Sequence, residues 1–312
     1  MLNRRHIRIK VMQSIFALLL TKSNDSDKAV SFLYLNINKL HELYVLQLNL
    51  LIEIQVLVKR RLEISKKNRV TVFENKNGYV NIIENKLLQN IANSPTLLEY
   101  TKNKKLNNWK NATEYVQLIW DEILESEIFK NYAKIENPNY KQDKFFVIDV
   151  FKKIIAPNNK LFDYFESENI GWIDVLPFVN TVIVKELSKL EENKVLVLSD
   201  LYKDEDDRLF VKELFQKTVL NHTDYDAVID ELTPNWEYDR IADMDLILMK
   251  MAITEFLKFS SIPTKVTINE YLEIAKDYSS DKSSFFINGV LDKLLKKYKK
   301  EEKINKIGRG LL

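Results

Sequence analysis

The stretch RIADMDLILMKMAITEFLKFSSIPTKVTINEYLEIAKDYSSDKSSFFINGVLDKL, residues 240–294, decides how the rest of the chain is read. Met244, Ile247, Leu248, Met251, Ala252, Ile253 and Phe256 cover more than half the circumference of a helix, so that helix belongs at the centre of a bundle. Pro263 ends the run and Thr264 opens a second helix, on which Ile268, Leu272, Ala275 and Tyr278 or Ser279 are expected to face inward. Asn269 and Glu270 break that apolar setting. Their plainest role is a cap or a tie between helices, because a buried polar side chain must find a partner. Asp281 and Ser283 are candidate caps for a third helix that turns Ile287, Val290, Leu291 and Leu294 inward. Gly289 in its interior costs about 1 kcal/mol relative to Ala, which close approach of another helix would explain. Phe285 points away from the inward stripe and Phe286 sits at its border. An exposed ring beside Lys282 and Ser283 is a surface on which an RNA base can stack.

Upstream, helical patterns are expected at about 204–221, 224–232 and 238–259. The first opens on the acidic cluster Asp204 to Asp207, where carboxylates suit the helix dipole. Lys194 to Tyr202, KVLVLSDLY, reads as an extended connector. The middle of the chain carries shorter helical patterns separated at Asn93-Ser94-Pro95, Asn137-Pro138-Asn139 and Ala156-Pro157-Asn158-Asn159, and it is rich in aromatics including Trp109, Trp120 and Trp172. Before it, a helix of about 27–65 runs without Gly or Pro, with Ser23, Asp25 and Ser26 as candidate caps. At the start of the chain, Ile7, Val11, Ile15 and Leu18 make a core stripe, and Arg5, Ile9, Met12 and Phe16 line a neighbouring side. Arg4, Arg5, Arg8 and Lys10 crowd the first turns of this helix, although cations are unfavourable at a helix N-terminus. Something else should be using them.

Composition excludes several chemistries. Five glycines and six prolines in 312 residues leave turns scarce and point to an all-α fold. With no cysteine there is no disulfide, zinc-thiolate site or thiol nucleophile. His6, His41 and His222 stand alone at helical ligand spacing, so no metal site is expected and each reads as structural or exposed. The isolated glycines form no phosphate-cradling loop or nucleophile elbow, so no catalytic residue and no cofactor is assigned. No secretory signal or membrane span is expected: the most apolar run, Val45 to Val58, contains Gln47, Asn49, Glu53 and Gln55 and suits a buried helix. The net charge of +2 hides an asymmetry, because Lys293 to Leu312 holds seven Lys and one Arg against Glu301 and Glu302. A lysine-rich tail is usually just solvated, but basic clusters at both ends make a polyanion partner worth testing.

Taken together these residues resemble the transcription antitermination factor NusB family. IPTKVTINEYLEIAK is similar to the family's V-P-x-K-V-x-I-N-E-x-I-E-L-A-K, and FFINGVLDKL to its K-F-V-N-G-V-L-D-K. At the other end RRHIRIKVMQSIF is similar to its R-R-x-x-R-x-x-x-x-Q-x-x-Y, with Arg4, Arg5, Arg8, Gln13 and Phe16 on the matching positions. The resemblance implies an all-helical, non-enzymatic, cytoplasmic RNA-binding protein. It would bind boxA-type RNA together with the small-subunit ribosomal protein NusE and, with other Nus factors, help RNA polymerase read through terminators in ribosomal RNA operons. It also implies an RNA surface of Arg4, Arg5, Arg8, Gln13 and Phe16 on the first helix with Lys282, Ser283 and Phe286 around the start of the last. Some relatives are thought to dimerise through that face, so a homodimer is open.

The resemblance covers about 1–50 and 204–300 as two halves of one domain. Residues 51–203 then form a lengthened second helix and a helical insertion, and 301–312 a basic tail, similar to the long form of the Bacteroidetes branch. Phe285 stands where the family often has Lys, Lys282 where it often has Asp, and Phe16 where Tyr is usual. Two other readings compete. The aromatic insertion could make the chain a protein-interaction scaffold, although aromatics more often fill a core. The RNA-binding module of ribosomal RNA methyltransferases is the weaker alternative, since no glycine-rich cofactor loop accompanies it.

Overall fold

In a computed structural model the described residues are 2–21, 26–68, 76–234 and 237–311. Among them are sixteen α-helices and no strand, as the scarcity of Gly and Pro led one to expect. In chain order these are α1 (Arg4–Leu20), α2 (Ser26–Asn68), α3 (Lys76–Glu84), α4 (Lys86–Ala92), α5 (Pro95–Lys104), α6 (Asn108–Asn111), α7 (Thr113–Glu125) and α8 (Glu127–Ala133). They continue as α9 (Tyr140–Val150), α10 (Asn159–Glu168), α11 (Leu176–Lys189), α12 (Glu205–Leu220), α13 (His222–Leu232), α14 (Asp243–Lys258), α15 (Thr264–Tyr278) and α16 (Ser283–Lys300). The chain divides into two compact units, Met1–Ile37 with Leu201–Leu312, and Asn38–Asp200.

In the first unit α14 is the hub, packed on α1, α12, α13, α15 and α16. Ile247 to Phe256 are all buried, and they include Lys250, Thr254 and Glu255 beside the apolar residues. The stripe of Ile7, Val11, Ile15 and Leu18 on α1 and that of Ile287, Val290, Leu291 and Leu294 on α16 are buried as their spacing predicts. On α15 the inward face is rotated: Tyr271 and Ile274 are buried with Ile268 and Ala275, while Leu272 is only half-buried. The reason is polar, since the Tyr271 hydroxyl is drawn inward to the Glu255 carboxylate at 2.8 Å.

Three local expectations are corrected. The helix expected at 238–259 is broken into a 3₁₀ turn, Tyr238–Arg240, and α14. Ala242 between them is extended, and Asp243 and Asp245 start the new helix where the dipole favours them. Neither Asp281 nor Ser283 caps α16, whose N-cap is Lys282 without a side-chain bond, because the Ser283 hydroxyl is turned to Asp245. Gly289 does not mark a close helix approach: a Cβ there would meet nothing within 4 Å. The candidate caps Ser23 and Asp25 lie outside the described residues.

The second unit is an aromatic-rich helical core. Trp109, Trp120 and Trp172 are buried, and Tyr79, Trp120 and Phe129 pack edge to face. The Trp109 and Trp172 indoles donate to the Leu46 and Lys39 carbonyls of α2, both at 2.7 Å. These tryptophans are core residues, whereas Phe145 and Phe162 of the same unit are exposed. By length and composition α2 could cross a membrane, yet most of its apolar stretch is buried inside the protein.

Candidate nucleic-acid interface

Asn3 caps α1, its side chain accepting from the His6 amide at 3.0 Å, and this places Arg4, Arg5 and Arg8 on the first two turns. Each meets a carboxylate from a distant part of the chain. The Arg4 Nε donates to Asp207 at 2.8 Å, and its guanidinium lies 5.1 Å from the Phe210 ring centre. Arg5 forks onto Glu270 with contacts of 3.0 and 2.8 Å. Arg8 is 2% exposed and forks onto Glu255, 0% exposed, at 2.6 and 2.9 Å, with a longer 3.4 Å contact to Glu270. Thr267 and Tyr271 donate their hydroxyls to the same Glu255 carboxylate at 3.0 and 2.8 Å. A buried carboxylate with four donors is a fully satisfied core network.

The electrostatics follow from these pairings. Burial works against the Arg8 charge, but the field and hydrogen bonds of Glu255 outweigh it and the pKa is raised. Glu270 is pushed up by burial and pulled down further by Arg5 and Arg8, ending below the ordinary carboxylate value. Its hydrogen bond in turn raises Arg5. Burial, helped by Arg5 and Lys10, lowers His6 to about 4, so its imidazole is neutral at physiological pH. Glu270 is the inter-helix tie foreseen for the polar interruption of α15, whereas its neighbour Asn269 is exposed.

Arg4, Arg5 and Arg8 line a cleft of about 730 Å³ together with Pro263, Val266 and Glu270. Of the other residues implied on α1, Gln13 is half-buried and accepts from Lys10 at 3.1 Å, and Phe16 is half-buried. A second group gathers where α15 passes into α16. Ser279 and Ser283 donate to the two oxygens of buried Asp245, at 2.6 and 2.8 Å. Lys282 is exposed, Ser283 is buried, Phe286 is half-buried and Phe285 is 80% exposed. Asp245 and Glu255 are both on α14, ten residues apart, so the two groups are separated by about 15 Å along its axis. Sequence spacing had not pointed to Glu255, Asp245 or Asp207 as partners. The one available signal was their presence as acidic residues in otherwise apolar or capping positions.

The NusB family model matches residues 179–296. The transcription antitermination protein NusB of Salinibacter ruber is 42% identical over 117 residues, which is 38% of this chain and 73% of that protein. The protein of the same name from Chloroherpeton thalassium is 38% identical over 130 residues, 41% of this chain and 62% of its own length. That of Natranaerobius thermophilus is 40% identical over 85 residues, 27% of this chain and 61% of its own. No solved structure matches the chain. The matched stretch contains α12 to α15 and most of α16, the bundle whose carboxylates hold the arginines of α1. By that match, and by its identity to a relative across nearly three quarters of the latter's length, the chain belongs to the NusB family of non-enzymatic transcription antitermination proteins.

Proposed function

We propose that this chain is a cytoplasmic, RNA-binding transcription antitermination factor that binds a boxA-type single strand together with the ribosomal protein NusE. In this reading it promotes read-through of ribosomal RNA operons, with other Nus factors and RNA polymerase engaged indirectly. The observation that carries it is the arginine-lined cleft at the start of α1, in a domain whose relatives are named for antitermination. Arg4 and Arg5, at the solvent edge, are the phosphate contacts; Arg8, locked on Glu255, positions Glu270 and through it Arg5. Lys282 and the exposed ring of Phe285 supply charge and stacking at the second group, with Phe286 behind them. Ser283 acts by holding Asp245, which fixes the start of α16. Gln13 and Phe16 extend the surface along α1.

The test is fluorescence anisotropy of a short boxA-like RNA, alone and with NusE, against a scrambled RNA at two salt concentrations. Selective binding that tightens with NusE is expected. Equal, weak and purely salt-driven binding to both RNAs would remove the boxA reading and leave the family membership standing.

A further inference from the structure

The described residues after α16 do not all trail into solvent. The Lys303 amide donates to the Tyr298 carbonyl at 2.9 Å and the backbone then turns back. Lys306 Nζ donates to the Glu255 and Phe259 carbonyls at 3.0 and 2.9 Å, at the end of α14 where the helix dipole is negative. Burial lowers the Lys306 amine to about 8 against the field of Glu255, a desolvation that a merely solvated tail does not carry. The Ile307 amide donates to the Ser260 carbonyl at 3.1 Å. Gly310 lies so close over the same carbonyl that a Cβ would stand 1.9 Å from its oxygen. Gly308 has φ +52°, a left-handed turn. The tail is therefore fastened by one side chain and two backbone positions to α14 and to the connection into α15.

Between the two glycines Arg309 reaches the wall of the arginine cleft. The three arginines of α1 each have a carboxylate, whereas Arg309 is exposed and has no hydrogen-bond or ion-pair partner among the described residues. It is the uncompensated cation of the cleft. We propose that Arg309 is a phosphate-binding residue of the RNA surface, held there by a C-terminal strap whose fastenings are Lys306 and Gly310. This rests on the RNA reading above and adds to it a third chain segment, beyond α1 and the start of α16.

The full-length protein, Arg309→Ala, Arg309→Lys, Gly310→Ala and the control Lys296→Ala are titrated into the boxA-like RNA at several salt concentrations. Arg309→Ala is expected to weaken binding about tenfold and to flatten the log–log salt dependence by about 0.7, one single-strand phosphate contact. Arg309→Lys should restore the slope. Gly310→Ala keeps every charge but unseats the strap, so it should behave as Arg309→Ala, while Lys296→Ala stays at wild type. Wild-type affinity and slope in Arg309→Ala, with the wild type binding normally, overturn the assignment and leave the RNA reading standing. If the wild type binds no RNA, the RNA reading fails, and pyrophosphate titrated against the arginine Nε–Hε NMR signals decides the cleft itself. A shift of Arg309 then supports an anion site, and its absence overturns it.

Discussion

Arg5 and Arg8 stand three residues apart on one helix, and each forks onto a carboxylate, yet only Arg5 is open to water. The energetic consequences differ accordingly. Removing one partner of a buried pair leaves the other charge uncompensated, so Arg8→Ala is expected to cost about 3–5 kcal/mol in urea unfolding. Arg5→Ala, an exposed pair, should cost under about 1 kcal/mol while weakening RNA binding. Equal stability losses would contradict the division of labour between them. His6 makes a separate prediction. Its folded pKa of about 4 lies below the unfolded value of about 6.5, so between these pH values the unfolded chain binds the extra proton. Stability contributed by neutral His6 is complete above pH 6.5 and is lost as the pH falls toward 4. An imidazole NMR titration with a midpoint near 6.5 would refute this, and His6→Gln should flatten the acid limb of the stability curve.

At the level of elements, α14 acts as the rail on which both side-chain groups are mounted, with Asp245 at one end and Glu255 toward the other. Ser283→Ala removes one of two hydroxyls from a buried carboxylate and is expected to cost about 1–3 kcal/mol. The same change should loosen the start of α16, seen as faster amide exchange at Phe285 and Phe286. Gly289→Ala goes the other way. Its Cβ would enter open space on the exposed side of α16, so the helix should gain about 0.5–1 kcal/mol and the Tm should rise. An unchanged or lower Tm would overturn the reading that only helix propensity is at stake at this position.

On the scale of the whole molecule, the two compact units each carry their own core, one built around α14 and the other around Trp109, Trp120 and Trp172. Trp120→Ala should cost about 3–5 kcal/mol, and amide exchange should accelerate mainly within Asn38–Asp200 while RNA affinity is kept. Acceleration spread evenly over both units would indicate a single cooperative domain. The sequence by itself determined the helical class and the buried stripes of α1, α14 and α16, because the 3.6-residue period and the breaking action of Pro263 are local. It also carried the family, through the segment on α14 to α16. Only the tertiary structure decided which arginine is interior, that Ser283 serves Asp245, that Tyr271 replaces Leu272 on the inward face, and that the tail bears Arg309 back to the cleft. Those outcomes are set by partners such as Arg8 and Glu255, which are 247 residues apart in the chain and which no local pattern brings together.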